Sequence, residues 1–185
     1  MNTRETEIKL RVPDPAQARE LLRKLSVRIL LDRHFEDNTV FDSADSILLD
    51  SGQLLRVRLV DSNAILTFKG RQRISDGVKD REEIECSVSP TEALVPILNR
   101  LGFSAVFRYQ KYRTVYEVRG LSLQICLDET PIGTFLELEG DIQDIHRCAE
   151  KLGCARDQYI TESYGSLYSR WCRENNIDPG NMTFE

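Results

Sequence analysis

Charged side chains recur at alternate positions along several short stretches of this sequence, and that spacing is the first feature able to do chemistry. Glu5, Glu7, Lys9 and Arg11 share one parity, with Thr6, Ile8, Leu10 and Val12 on the other. Arg56 and Arg58 alternate with Leu55, Val57 and Leu59, and Thr67 and Lys69 with Leu66 and Phe68. Arg81, Glu83 and Glu85 alternate with Ile84 and Cys86. Lys111 and Arg113 follow, Asp128 ends another stretch, and Glu137 and Glu139 alternate with Leu136 and Leu138. Period two places each set on one face of a β-strand. Such a face can simply be solvated, the polar side of an antiparallel sheet. A solvated face normally mixes Thr, Ser, Gln and Lys. Long charged side chains at successive positions on neighbouring strands need opposite charges or a charged ligand.

Two arrangements use such faces. One is an open sheet laid against a charged partner. The other is a closed barrel with charges inside and apolar residues outside under helices. Arg and Lys suit anionic oxygens, Arg through its bidentate fork. Carboxylates without His or Cys partners select hard cations such as Mg²⁺ or Mn²⁺. A polyphosphate carrying divalent ions satisfies both sets.

The elements that would position these residues follow from periodicity. Residues 4–12 read as a strand, and Asp14 and Pro15 open a helix through Leu25. Residues 27–42 read as a strand, residues 44–51 as a turn or short helix, and Gln53–Val60 with Ala64–Lys69 as a hairpin. Gly70–Lys79 reads as a mobile loop, Asp80–Val88 as a strand and Pro90–Leu101 as a helix. Strands are expected at Phe103–Val118, Ser122–Asp128 and Thr134–Glu139. Helices are expected at 141–152 and Ser163–Glu174. That makes about eight strands and four helices in a strand-rich α+β arrangement, which repeated βαβ units do not fit. No repeat or linker divides the chain, so residues 1–175 form one expected domain and 176–185 an expected frayed tail.

Composition narrows the classes. The 185 residues carry 25 Lys and Arg against 30 Asp and Glu, a net charge of −5, which argues against a nucleic-acid binder. No apolar run reaches a membrane span, and Met1-Asn2-Thr3-Arg4-Glu5 lacks a signal-peptide core. Five cysteines without a CxxC pair, and only two histidines, disfavour disulfides and a zinc site. Together these point to a cytoplasmic protein.

Glu5-Thr6-Glu7-Ile8-Lys9 resembles the ExExK signature of the CYTH family, the triphosphate tunnel metalloenzymes. Other motifs follow in that family's order: Leu55-Arg56-Val57-Arg58, Leu66-Thr67-Phe68-Lys69-Gly70, Arg81-Glu82-Glu83-Ile84-Glu85 and Lys111-Tyr112-Arg113. Leu127-Asp128-Glu129, Gly133-Thr134-Phe135-Leu136-Glu137-Leu138-Glu139-Gly140 and Ser163-Tyr164 complete the series. Their form is most similar to the bacterial class IV adenylate cyclase-like branch.

The resemblance implies a closed eight-stranded antiparallel β-barrel, a tunnel with a charged lumen and helices packed outside. It implies triphosphate binding by Lys9, Arg56, Arg58, Lys69, Arg81, Lys111 and Arg113. It implies Mg²⁺ or Mn²⁺ on Glu5, Glu7, Asp128, Glu137 and Glu139, with Glu83 and Glu85 as secondary candidates. Glu5, Glu7, Lys9 and Glu137 form the implied catalytic set. The reaction implied is hydrolysis of a phosphoanhydride bond in inorganic, nucleoside or organic triphosphate. The alternative is cyclisation of ATP to cyclic AMP and pyrophosphate. A non-catalytic polyphosphate or nucleotide binder is a further alternative, which a full carboxylate set disfavours. Many members carry Asp-x-Tyr-Phe-Asp where this chain has Asn38-Thr39-Val40-Phe41-Asp42, a departure that bears on substrate choice rather than fold. His34 and Glu36 share the face of Asn38. His34 could touch a nucleoside or simply line the mouth, and Tyr164 could cap the tunnel or pack.

Overall fold

A computed structural model describes residues 4–185; residues 1–3, the start of the expected domain, lie outside it. The strands are β1 (Arg4–Val12), β2 (Val27–Ser43), β3 (Leu54–Val60), β4 (Asn63–Lys69), β5 (Arg73–Ser75), β6 (Val78–Val88), β7 (Phe103–Val118), β8 (Leu123–Thr130) and β9 (Gly133–Gly140). The helices are α1 (Pro15–Leu22), α2 (Ile47–Asp50), α3 (Thr91–Arg100), α4 (Ile142–Lys151) and α5 (Tyr164–Glu174).

Hydrogen bonding runs in the order β1-β9-β8-β7-β2-β3-β4-β6. The circle then closes, because Arg4–Glu7 of β1 pair with Lys79–Glu82 of β6. The fold is therefore α+β, with the expected closed eight-stranded antiparallel barrel; β5 is an extra strand on the edge of β6. Closure leaves no open edge around the ring.

Alternation decides what lies inside. Ile8, Leu10, Ile125, Leu127, Leu136 and Leu138 point outward and are buried beneath Ala18 and Leu22 of α1 and Ile145, Cys148 and Ala149 of α4. Val57 and Ala64 are covered likewise by Leu94 and Leu98 of α3. A third cluster joins Tyr109 and Phe135 to Tyr164, Leu167 and Tyr168 of α5. The first two clusters form an apolar shell around the barrel, whereas Tyr109 and Phe135 of the third share the parity of Lys111 and Glu137, which faces the lumen. Asp14 caps α1 as the sequence predicts, its Oδ1 accepting from the Gln17 amide at 2.8 Å behind Pro15. Gly140 ends β9 at φ +157, where a Cβ would stand 2.1 Å from the Ser122 carbonyl oxygen, so only glycine fits.

Two expectations are corrected. Gly70–Lys79 is not one mobile loop: β5 and β6 form a hairpin in which Ser75 faces Val78. The turn residues Asp76 and Gly77 both have positive φ, 52° and 75°, as a tight Asp-Gly hairpin turn requires. The tail does not fray throughout. Met182 is only 1% exposed and inserts into the α5 cluster. Its amide donates to the Arg108 carbonyl at 2.9 Å, and its carbonyl accepts from Gln110 at 2.9 Å. An apolar anchor with two backbone hydrogen bonds outweighs the entropy of a free end.

Candidate active site

The barrel encloses a tunnel of about 1020 Å³. Glu5, Glu7, Lys9, Arg56, Arg58, Lys69, Arg81, Lys111, Arg113, Glu137 and Glu139 all line it, as do Glu83 and Glu85. Asp128 lies buried directly behind Lys111 and Arg113. The charged residues singled out in the sequence are therefore brought together from seven strands.

Opposite charges are interleaved around the wall by register. Lys9 faces Glu137 across β1 and β9, with its Nζ 3.0 Å from Glu7 Oε1 and 3.3 Å from Glu137 Oε1. Lys69 Nζ reaches Glu5 Oε1 at 2.6 Å and Glu83 Oε1 at 3.0 Å. Arg81 Nε donates to Glu5 Oε2 at 2.9 Å. Arg113 Nε and Nη2 each donate to Asp128 at 2.6 Å, and Nη2 also pairs with Glu137. Lys111 Nζ shares Asp128 at 2.8 Å. Tyr164 Oη donates to the same carboxylate at 2.8 Å. Arg56 donates to Thr67 Oγ1 and Tyr109 Oη, both at 3.2 Å, and to Glu85 at 3.3 Å. Arg58 reaches Glu85 Oε1 at 3.3 Å and Glu36 Oε1 at 3.5 Å.

The field inside such a wall is uneven. Burial pushes the Glu5 carboxyl up, but Lys69, Arg81 and Lys79 outweigh it and hold Glu5 below the usual range. Burial opposes ionisation of Glu137 too, and Lys9, Arg113 and Lys111 overcome it, leaving that carboxyl well below normal. Glu139 goes the other way. Burial first, then the Glu5 and Glu7 carboxylates, push it up to about 7. Register explains the repulsion, because Glu7 and Glu139 stand directly opposite on β1 and β9.

Two further residues belong here: Lys79, which the sequence reading placed in a loop, and Glu36, which it placed on the face of Asn38 without a role. Lys79 is buried, pairs with Glu7, and has its ammonium pushed down to about 8 by burial and by Lys9. It shares the parity of Arg81, Glu83 and Glu85, which was the available signal. Glu36 is also buried, between Arg58 and Lys111. Burial raises its carboxyl, and Lys111 with Arg113 and the hydrogen bond from His34 brings it well below normal. His34 lies against Glu36 at 3.5 Å and lines the tunnel. Tyr164 combines both of its expected roles, packing against Phe135 and facing the lumen.

Comparison with known proteins agrees with this architecture. The CYTH domain family matches residues 3–164. A Methanocaldococcus jannaschii protein named "Putative adenylate cyclase" is 31% identical over 173 residues, spanning 88% of this chain and 97% of its own. The solved structure of a Vibrio parahaemolyticus "putative adenylate cyclase" superposes with a TM-score of 0.78 at 16% identity, covering 91% of this chain and 99% of that one. That of a Hippeastrum protein, described as a "Putative adenylyl cyclase" that "reveals a dominant" triphosphatase activity, superposes with a TM-score of 0.64 at 22% identity. It covers 95% of this chain and 97% of that one. A family match over most of the chain and a relative 31% identical across 97% of its own length lead to one conclusion: the chain belongs to the CYTH domain family.

Proposed function

We propose that this protein is a divalent-metal-dependent triphosphatase that hydrolyses a phosphoanhydride bond inside the tunnel. The observation that carries this reading is the enclosed lumen of about 1020 Å³ in which Lys9, Arg56, Lys69, Lys79 and Lys111, each nearly inaccessible, crowd together with their carboxylate partners rather than facing bulk solvent. So many buried cations are costly unless a polyanion shares them.

Glu5, Glu7 and Glu139 are the residues suited to hold Mg²⁺ or Mn²⁺. Their fit rests on the Glu7–Glu139 opposition, a like-charge cross-strand pair that a dication would relieve. All their donor atoms are oxygens, which hard cations prefer. Among the described residues, no three acidic, histidine or cysteine side chains are close enough to hold an ion as they stand. Glu5 and Glu7 are engaged by Lys69, Arg81, Lys9 and Lys79, so those bases must turn to the substrate for the carboxylates to be released. A bound dication supplies charge neutralisation at the phosphate oxygens and eases attack by water.

The chain's own residues do the positioning. Lys9, Arg56, Arg58, Lys69, Lys111 and Arg113, with Arg81 and Lys79, grip the phosphate oxygens. Asp128 and Tyr164 fix Lys111 and Arg113 from behind, and Glu85, Thr67 and Tyr109 do the same for Arg56. We therefore place Asp128 as an anchor of bases, since its oxygens already take bonds from Lys111, Arg113 and Tyr164. In hydrolysis the water oxygen bonds to phosphorus, the bridging P–O bond breaks, and the departing phosphate carries off a proton. Preorganised charge is the main assistance such a transition state needs. The Hippeastrum protein supports the idea that this fold serves hydrolysis.

The M. jannaschii relative's name favours a second reading, cyclisation of ATP by attack of its 3′-hydroxyl on the α-phosphorus. One panel separates the two: inorganic triphosphate, ATP, GTP and thiamine triphosphate with Mg²⁺ or Mn²⁺, products resolved by chromatography. Orthophosphate is the expected product. Cyclic AMP with pyrophosphate would install the cyclase instead. Binding without turnover would leave a sensor.

A further inference from the structure

His34 lines the tunnel yet belongs neither to the phosphate grip nor to the candidate cation site. The backbone of β2 is bent to aim it inward. Leu31 pairs with Val115 and His34 with Arg113, so β2 uses three residues where β7 uses two. Strict alternation would put Leu31 and His34 on opposite faces; with the extra residue both line the lumen. A bulge of this kind interrupts the ladder and re-aims a side chain. The Asp32 carbonyl inside the bulge stands 2.9 Å from His34 Nδ1. A carbonyl oxygen only accepts, so Nδ1 carries a proton and Nε2 is the nitrogen that titrates.

Nε2 faces Glu36 Oε1 from 3.5 Å, and Arg58 Nη1 stands 3.5 Å from the same oxygen. Lys111 Nζ is 3.5 Å from Oε2, which has no hydrogen-bond partner among the described residues. These contacts are long beside the 2.6–2.8 Å bonds that tie Asp128 to Arg113, Lys111 and Tyr164. Glu36 is 2% exposed, and a buried carboxylate so loosely bonded is costly unless the groups around it have a second use. It holds Arg58, Lys111 and His34 within reach of one another without consuming their hydrogen bonds, so one phosphate group can meet all three. The charged groups facing His34 are Glu36 on its own strand and Arg113 on β7. Lys111 and Arg58 reach it through Glu36, and β3 ends at Val60, short of its level. The contact with Glu36, set against burial and the Arg113 charge, holds the imidazolium above its usual range.

We propose that His34 is the proton donor of the hydrolysis and Glu36 its positioning residue: as water bonds to phosphorus and the bridging P–O bond breaks, Nε2–H passes its proton to the departing oxygen. The electron pair of the broken bond stays on that oxygen. The imidazole is left neutral and takes up the proton that the attacking water releases, so no further reactant is needed. This rests on the triphosphatase reading and adds the acid to it. Proton transfer from a positioned side chain contributes typically about 10²–10⁴-fold.

The probe is inorganic triphosphate. His34 and His146 are the two histidines of the chain, so NMR shows two imidazole titrations, and His146→Gln assigns them. His146 lies between Asp76 and Tyr159, away from the tunnel lining, and is the internal control. In EDTA, triphosphate should raise the His34 titration midpoint by about one pH unit, as phosphate charge beside Nε2 requires, and leave that of His146 in place. With Mg²⁺, His34→Gln should lower kcat by on the order of a hundredfold with KM within about threefold, circular dichroism confirming its fold. Wild-type kcat should fall as pH rises through the His34 midpoint, because the acid form is the active one, and His34→Gln should lack that limb. Glu36→Gln should move the limb to lower pH, since the charge that holds the proton is gone. A His34 midpoint unmoved by calorimetrically bound triphosphate, or a His34→Gln enzyme with wild-type kcat and the wild-type limb, would overturn the proposal and leave the triphosphatase standing. A wild type that hydrolyses no triphosphate would sink the triphosphatase reading, and the proton donor with it.

Discussion

Replacing Glu139 with Gln should stabilise the metal-free protein, and the gain should appear only at higher pH. Glu139 is held at about 7 in the folded protein against an ordinary 4.5. The folded state therefore keeps a proton that the unfolded state has released, and stability falls as pH rises from 4.5 to 7. At about 1.4 kcal/mol per tenfold change in proton affinity, the loss reaches roughly 3 kcal/mol by pH 8. In a chain of 185 residues each kcal/mol moves Tm by about 2–4 °C, so the Gln variant should melt on the order of 5–10 °C higher at pH 8. At pH 5 the carboxyl is protonated in the folded wild type, and the two melting points should nearly coincide. Scanning calorimetry in EDTA at pH 5, 6, 7 and 8 measures the difference; other titrating groups are common to both proteins. Millimolar Mg²⁺ should raise the wild type more than the variant and close the gap. A gap of constant size across pH, or a variant less stable at pH 8, would refute the Glu7–Glu139 repulsion and the cation site built on it.

Turnover should stop in excess EDTA and return with Mg²⁺ or Mn²⁺; full activity in thoroughly chelated enzyme would end the metal-dependent mechanism. Arg56→Ala removes a charge-assisted phosphate contact worth about 1.5–3 kcal/mol, so KM should rise roughly ten- to a hundredfold with residual kcat. Glu137→Ala leaves Lys9 and Arg113 without a shared partner, and steady-state kinetics should show a deeper fall in kcat than in Arg56→Ala; wild-type kinetics in both variants would return these charges to a passive role. Deleting residues after Asp178 removes buried Met182, whose burial is worth about 1.5–3 kcal/mol, and should lower Tm by several degrees. An unchanged Tm would mean that the docked tail adds nothing.

Much of the tunnel was legible because burial inside a barrel and alternation along a strand use the same period. Glu5, Arg56, Lys69, Arg81, Lys111 and Glu137 could each be assigned a face from sequence, and all line the lumen. Closure is a property of pairing between residues far apart, so the register of β1 with β6 had no local signature beyond the family resemblance. Lys79 is harder to read from sequence. Gly70–Lys79 looked polar and irregular, although Asp76-Gly77 is a hairpin signal and Lys79 keeps the parity of Arg81. The tail misled for another reason. A single Met182 among polar residues carries no periodicity, and its anchoring depends on the Tyr109 and Tyr168 surface that only tertiary packing creates.

The seam between β1 and its neighbours also sets an order of events in synthesis. β1 is made first, yet its partners are residues 79–82 and 134–139. Until Glu139 has left the ribosome, Ile8 and Leu10 lack the β9 surface beside which they are buried, and Lys9 lacks its Glu137 partner. The first strand of the tunnel is therefore the last to be completed on both edges. A pairing this distant in sequence makes closure slow relative to the local hairpins β3–β4 and β8–β9. The nascent chain must carry an alternating charged and apolar strand until β9 has emerged, and its exposed edge is the place where a chaperone would act.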